Sequence, residues 1–141
     1  MIYLGIDFGD ARVGIATSDP DGILSSAKET ITVSGVNDAA KKTADAFLRY
    51  GADKIVCGLP YNMNGSESFR AEKTRVFAEK LAALTNAEIV FQDERLTTVE
   101  AYTYMNIGNM KSGKRRSVVD AMSAQILLQA YLDAHPAGRA D

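Results

Sequence analysis

The chain has 141 residues, 46% of them hydrophobic and 24% charged, the length and balance of one soluble globular domain. These proportions exclude a disordered chain, a collagen-like repeat and a two-domain enzyme. A formal net charge of −2 excludes nucleic-acid binding by bulk positive charge, although Lys111, Lys114, Arg115 and Arg116 crowd bases into one short segment. In chain order, residues 2–8 read as a buried strand ending at Asp7-Phe8-Gly9-Asp10, and residues 13–17 as its hairpin partner. Residues 28–33 (KETITV) alternate polar and apolar, as a half-exposed third strand does. Residues 37–50 place Ala40, Ala44, Phe47 and Leu48 at helical spacing, and Gly51 stops that helix. Residues 54–59 (KIVCGL) form a short apolar run after a helix, which predicts a buried, parallel strand. Residues 60–65 form a loop, and Ser66 caps a long helix reaching about residue 84. A fifth strand spans 88–92 and closes at Asp93-Glu94-Arg95. Thr97 and Glu100 have capping-box spacing for a helix to about residue 107. Residues 108–116 read as a loop rich in Gly, Lys and Arg, Ser117 as the cap of a final helix to about residue 134, and 135–141 as a frayed tail.

The order β-β-β-α-β-α-β-α-α predicts an α/β fold in one domain spanning 1–141. It is a five-stranded mixed sheet, its first three strands antiparallel, with helices on both faces. That order is typical of the ribonuclease-H-like architecture. Sugar-kinase and actin-like ATPases share it, so fold alone does not settle function. Met1 leads into Ile2-Tyr3-Leu4-Gly5-Ile6 without a basic, cleavable leader, and no apolar run approaches the roughly 20 residues that span a bilayer. The single cysteine, Cys57, can form neither an intramolecular disulfide nor a cysteine-based zinc site. A cytoplasmic protein without a membrane partner is the expectation.

Three acidic positions stand out, one of them a pair of adjacent acids. Asp7 ends an apolar strand, where an ionised carboxylate is costly unless compensated; a metal ion would do so, and so would hydrogen bonds to the following turn. Asp93 and Glu94 follow the fifth strand, where adjacent side chains point to opposite faces, so one of the two faces any site. A solvated strand end paired with Arg95 is the plainer account. Asp120 stands three residues after Ser117, where it could simply cap a helix start. Taken together, Asp7, Glu94 and Asp120 each sit where an element ends or begins. Their oxygens suit hard cations such as Mg²⁺ or Mn²⁺, which activate water in phosphodiester hydrolysis. No Ser or Cys nucleophile pair, zinc spacing or Walker-type loop competes. His135 reads as a surface residue and Cys57 as an inert core residue.

The segments GIDFGDARVGIATSD (5–19), VCGLPYNMNGSES (56–68), DERLTTVEA (93–101) and VVDAMSAQILLQAYL (118–132) resemble, in order, the four blocks of the YqgF/RuvX family. That family holds Holliday-junction-resolvase-like proteins of the ribonuclease-H-like superfamily, also named as pre-16S rRNA nucleases. The resemblance implies a metal-dependent nuclease acting in 5′-end maturation of the small-subunit rRNA precursor during ribosome biogenesis. It implies Asp7, Glu94 and Asp120 as the catalytic, metal-holding acids, with Asp93 the alternative to Glu94. Asp10 stands where many relatives have Thr, and Ser117 where a base often precedes the VDA block.

Position suggests the remaining contacts. Arg12 and Arg95 flank the acids and can meet a phosphate. Asn62, Asn64 and Ser66 lead into a helix N-terminus, whose free amides accept anions, or form only a turn and a cap. Lys111, Lys114, Arg115 and Arg116 form a backbone-binding segment or a solvated loop. The first reading is a cytoplasmic Mg²⁺- or Mn²⁺-dependent endonuclease for structured RNA (pre-16S rRNA), with branched DNA as a further substrate. The second is a non-catalytic nucleic-acid or ribosome-assembly binding protein with the same fold, which would tolerate Asp7→Asn. An actin-like ATPase ranks last, because those enzymes need two such domains.

Overall fold

Two residue patterns build the sheet: YLGIDF and RVGIATS each alternate between two apolar faces. The computed structural model describes residues 1–60, 69–93 and 112–136. Among these, β1 (Tyr3–Phe8), β2 (Arg12–Ser18), β3 (Ser25–Thr32), β4 (Lys54–Leu59) and β5 (Ile89–Asp93) form one sheet in the order β3-β2-β1-β4-β5. The β1–β2 and β2–β3 pairs are antiparallel, and the β1–β4 and β4–β5 pairs are parallel. The helices are α1 (Val36–Arg49), α2 (Phe69–Thr85) and α3 (Ser112–Ala134). This is the predicted ribonuclease-H-like arrangement, with β5 beside β4 at the sheet's edge.

Period-two alternation sends successive side chains to opposite faces of the sheet. Leu4, Ile6, Phe8, Val13, Ile15, Ile55 and Cys57 bury against Ala39, Ala40 and Phe47 of α1 and Phe77 and Leu81 of α2. Phe8 stacks on Phe77 with ring centroids 4.4 Å apart. On the other face, Ala16 and Val56 pack against Ala124, Leu127, Leu128, Tyr131 and Leu132 of α3. Gly5 and Gly14 lie under α3. A Cβ on Gly5 would sit 2.8 Å from Leu128 Cβ, and one on Gly14 only 2.0 Å from the Asp120 carbonyl oxygen. The two glycines therefore set how closely α3 approaches the sheet.

The last helix begins at Ser112, so residues 112–116 are helical where a loop was expected. Ser117 is inside the helix and does not cap it. Lys and Arg are good helix formers, and one glycine (Gly113) costs a helix only about 1 kcal/mol, so a charged run with a glycine is no reliable loop signal. β3 starts at Ser25, earlier than expected, because tertiary contacts hold that end: the Ser25 amide donates to Gln129 Oε1 of α3 at 2.9 Å. At the start of α1, the Ser34 amide donates to the Asp38 carboxylate at 2.8 Å, and Lys42 pairs with the same carboxylate at 3.1 Å. Those contacts, the Ser34 amide foremost, hold the Asp38 carboxyl below the usual range. The expected loop at 60–65 beyond Pro60, the Ser66 cap and the helix at 97–107 lie outside the described residues. No described helix is long and apolar enough to cross a membrane.

Candidate metal and nucleic-acid site

Asp7 pairs with Gly14 across the β1–β2 hairpin, and alternation from Gly5 puts its half-buried side chain on the face that α3 covers. The main chain of Asp120 crosses directly over Gly14. One glycine thus brings the two acids to the same side of the same strand pair. Asp120 lies more than two turns inside α3, so it does not cap a helix start as the SVVD spacing allowed. Its carboxylate instead accepts a hydrogen bond from Arg12 Nε at 2.6 Å, in a pair whose side chains are 37% (Arg12) and 21% (Asp120) exposed. The sequence suggests a phosphate contact for Arg12; in the structure its guanidinium holds the Asp120 carboxylate.

Asp93 ends β5 opposite Leu59. Leu59 shares its face with Ile55 and Cys57, which pack toward α1 and α2, so Asp93 faces away from Asp7. Glu94, Arg95, Asn62, Asn64, Ser66 and Lys111 lie outside the described residues. Lys114, Arg115 and Arg116 occupy the first turns of α3, on the same helix as Asp120. Among the described residues no group of three His, Cys, Asp or Glu side chains converges as a metal cage. Asp7 and Asp120 bring partly screened carboxylates to one face of the sheet, and carboxylate oxygens are the donor type that a hard divalent cation takes.

Asp10 turns the other way. It pairs with Lys73 at 3.5 Å and helps line a cleft of about 740 Å³ with Phe8, Val36, Glu72 and Val76, on the α1–α2 side of the sheet. It therefore adds no acid to the Asp7–Asp120 face. Three residues near the end of β1 and the start of β2 have contacts that sequence reasoning does not assign. Gly14 is the floor under Asp120, signalled only by a glycine inside an apolar strand. Arg70 of α2 donates to the Phe8 carbonyl at 3.4 Å, and Lys73 stands one turn on, bringing two cations to the end of β1. Helical i,i+3 spacing marks that pair, but nothing local says which strand end it reaches. Cys57 is fully buried in the core. His135 stacks on Tyr131 at a centroid distance of 4.1 Å, away from the acids.

Comparison with known proteins shows the family and the fold. Residues 1–134 match a family model described as "RuvX: Holliday junction resolvase". A protein of Pelotomaculum thermopropionicum is 41% identical over 134 residues, covering 94% of this chain and 87% of that protein. One of Clostridium tetani is 41% identical over 133 residues, covering 94% and 96%. Both carry the name "Putative pre-16S rRNA nuclease". Among solved structures, Thermus thermophilus RuvC in complex with Holliday junction substrate superposes with a TM-score of 0.60 at 11% identity, covering 97% of this chain and 98% of that one. The fowlpox virus resolvase in complex with Holliday junction DNA superposes with a TM-score of 0.57 at 13% identity, covering 95% and 98%. At such identities these structures speak for the fold alone.

Proposed function

The chain belongs to the RuvX family, and from that premise we propose that it is a divalent-metal-dependent endonuclease that processes the 5′ end of pre-16S rRNA in the cytoplasm during ribosome biogenesis. The observation that carries the reading is the pairing of Asp7 with Gly14 beneath the main chain of Asp120, which draws together two acids far apart in sequence. Relatives named for pre-16S rRNA cleavage and a fold shared with junction resolvases support the substrate class, with branched DNA as a secondary substrate. Asp7, Glu94 and Asp120 are the acids assigned to hold Mg²⁺ or Mn²⁺. That Asp93 faces away from Asp7 supports Glu94, its neighbour in sequence, as the third. Cations bound to such carboxylates supply an activated water and stabilise the leaving oxygen in phosphodiester hydrolysis.

The chain's own groups do the rest. Asp7, held at the end of β1 by its pairing with β2, and Asp120, held by the close contact of α3 with Gly14, arrive in place without further folding. Pre-organisation of this kind lowers the cost of reaching the reactive geometry. Lys111, Lys114, Arg115 and Arg116, with Asn62, Asn64, Ser66 and Arg95, are assigned to the nucleic-acid backbone, where each phosphate contact adds salt-dependent, sequence-independent affinity. The test incubates the wild type and Asp7→Asn with precursor rRNA and a four-way DNA junction, in Mn²⁺, Mg²⁺ or EDTA. Cleavage by the wild type alone, abolished by EDTA, is expected, with the rRNA preferred. Equal binding by both proteins and no cleavage in any metal would overturn the assignment in favour of a non-catalytic binding protein.

A further inference from the structure

The function of Arg12 is not exhausted by its proximity to the acids. It is the first residue of β2, and its guanidinium grips the Asp120 carboxylate through Nε while more than a third of the side chain stays open to solvent. Resting on the metal-nuclease reading above, we propose that Arg12 is an exchangeable clamp: it holds Asp120 in the free protein and passes to a phosphate of the nucleic acid when a divalent cation takes that carboxylate. Arg12 is a positioning residue in this scheme, acting through Asp120.

Three observations support the exchange. The backbone of Asp120 is helical and packed tightly on the sheet, its carbonyl oxygen only 2.0 Å from where a Cβ of Gly14 would sit. A partner change therefore requires only side-chain rotation. The Arg12 backbone is equally fixed, since its carbonyl accepts the Gly9 amide at 2.9 Å in the hairpin turn. Finally, the pair is partly exposed, so water offsets its rupture and the clamp is weak enough to release. A planar guanidinium serves a carboxylate or a phosphate with the same donor fork, which makes the two interchangeable partners. A guanidinium bonded to a carboxylate also repels any cation that approaches the same oxygens. Cation and nucleic acid therefore relieve each other's obstacle: the phosphate draws Arg12 away, and the cation releases it. Such coupling is reciprocal, each ligand raising the affinity of the other by the same factor.

The test measures Mn²⁺ binding directly, by electron paramagnetic resonance of free Mn²⁺, in the presence and absence of a four-way DNA junction built with hydrolysis-resistant phosphorothioate linkages. Wild type, Arg12→Gln and Arg12→Lys are compared, with thermal melts to establish that each is folded. For the wild type, junction should tighten Mn²⁺ binding roughly tenfold, the usual scale of coupling between two sites. Arg12→Gln should bind Mn²⁺ several-fold tighter than the wild type without junction, and junction should then add little. Arg12→Lys, which keeps the charge but not the fork, should restore the weak free-state binding. If wild type and Arg12→Gln bind Mn²⁺ alike and gain equally from junction, the clamp is refuted while the metal reading stands. If Arg12→Gln binds Mn²⁺ more weakly, Arg12 merely orients the carboxylate, and the exchange is refuted too. If the wild type binds no Mn²⁺ under any condition, the metal reading itself falls and the clamp with it.

Discussion

Asp120 shows how one residue can carry different meanings at different distances along the chain. Its neighbours, SVVD, read as a cap, and a helix start would account for it entirely. Set two turns inside α3, it has no capping work to do, and its carboxylate is engaged by Arg12 instead. Replacing it separates function from stability. Because the Arg12–Asp120 pair is partly exposed, it contributes at most about 1 kcal/mol, so Asp120→Asn should melt within a few degrees of the wild type. Cleavage by Asp120→Asn and by Asp7→Asn should fall by at least about 100-fold, since loss of even an outer partner of a metal site costs that order. Thermal melts beside a gel-based cleavage assay test both halves of the prediction. A large drop in melting temperature with cleavage retained would make Asp120 a structural residue.

At the scale of elements, the contact between α3 and the β1–β2 hairpin matters most. Gly14→Ala puts a methyl group 2.0 Å from a carbonyl oxygen that belongs to a helix backbone and cannot rotate aside. Either α3 lifts or β2 bends, at a cost of about 1–3 kcal/mol, the usual penalty of overpacking. The same displacement moves Asp120 relative to Asp7, so Gly14→Ala should lose cleavage as well as stability; chemical denaturation and the cleavage assay together check this. The start of α1 gives a prediction in pH. Folding lowers the Asp38 carboxyl below its ordinary value, chiefly through the Ser34 amide and then Lys42. A depressed acid stabilises the fold above its unfolded value, and that stabilisation is lost as pH falls through the folded value. Asp38→Asn should therefore flatten the acid limb of the stability curve, while leaving the neutral-to-alkaline shape unchanged, as denaturant melts across acid pH would show.

At the scale of the molecule, two apolar layers hold the sheet between them among the described residues, and α3 supplies one of those layers. Leu128 is fully buried there, and Leu128→Ala should cost about 2–5 kcal/mol, read from denaturant unfolding. The charge balance forms the second property at this scale. With a net charge of −2, the protein cannot attract a polyanion globally, so affinity must come from local bases. If Arg115 and Arg116 each neutralise one phosphate, the double Arg115→Ala, Arg116→Ala variant should bind a DNA junction with a salt slope shallower by about 1.8. Titrations at several salt concentrations measure it, and an unchanged slope would remove both residues from the interface.

What could be read locally was read well: strands from period two, α1 from its apolar spacing, and the mixed sheet from the order of elements. Local reading failed where tertiary contacts override propensity. The run SGKRR folds as the start of α3, and β3 extends back to Ser25 because α3 ties it there. Within the candidate site, the residue types were legible, since a carboxylate at the end of an apolar strand needs compensation wherever that strand lies. Which acids meet was not. Sequence by itself determined the alternation that buries the sheet, the scarcity of bulk positive charge and the positions of Asp7 and Asp120 as candidate ligands. Only the tertiary structure decided that Asp120 sits over Gly14, that Arg12 reaches it from 108 positions away, and that Asp10 and Asp93 face elsewhere. The reason is physical: periodicity and capping act over a few residues and leave marks in every short window, whereas the approach of a helix to a strand depends on packing between distant segments, of which a lone glycine is the only local trace.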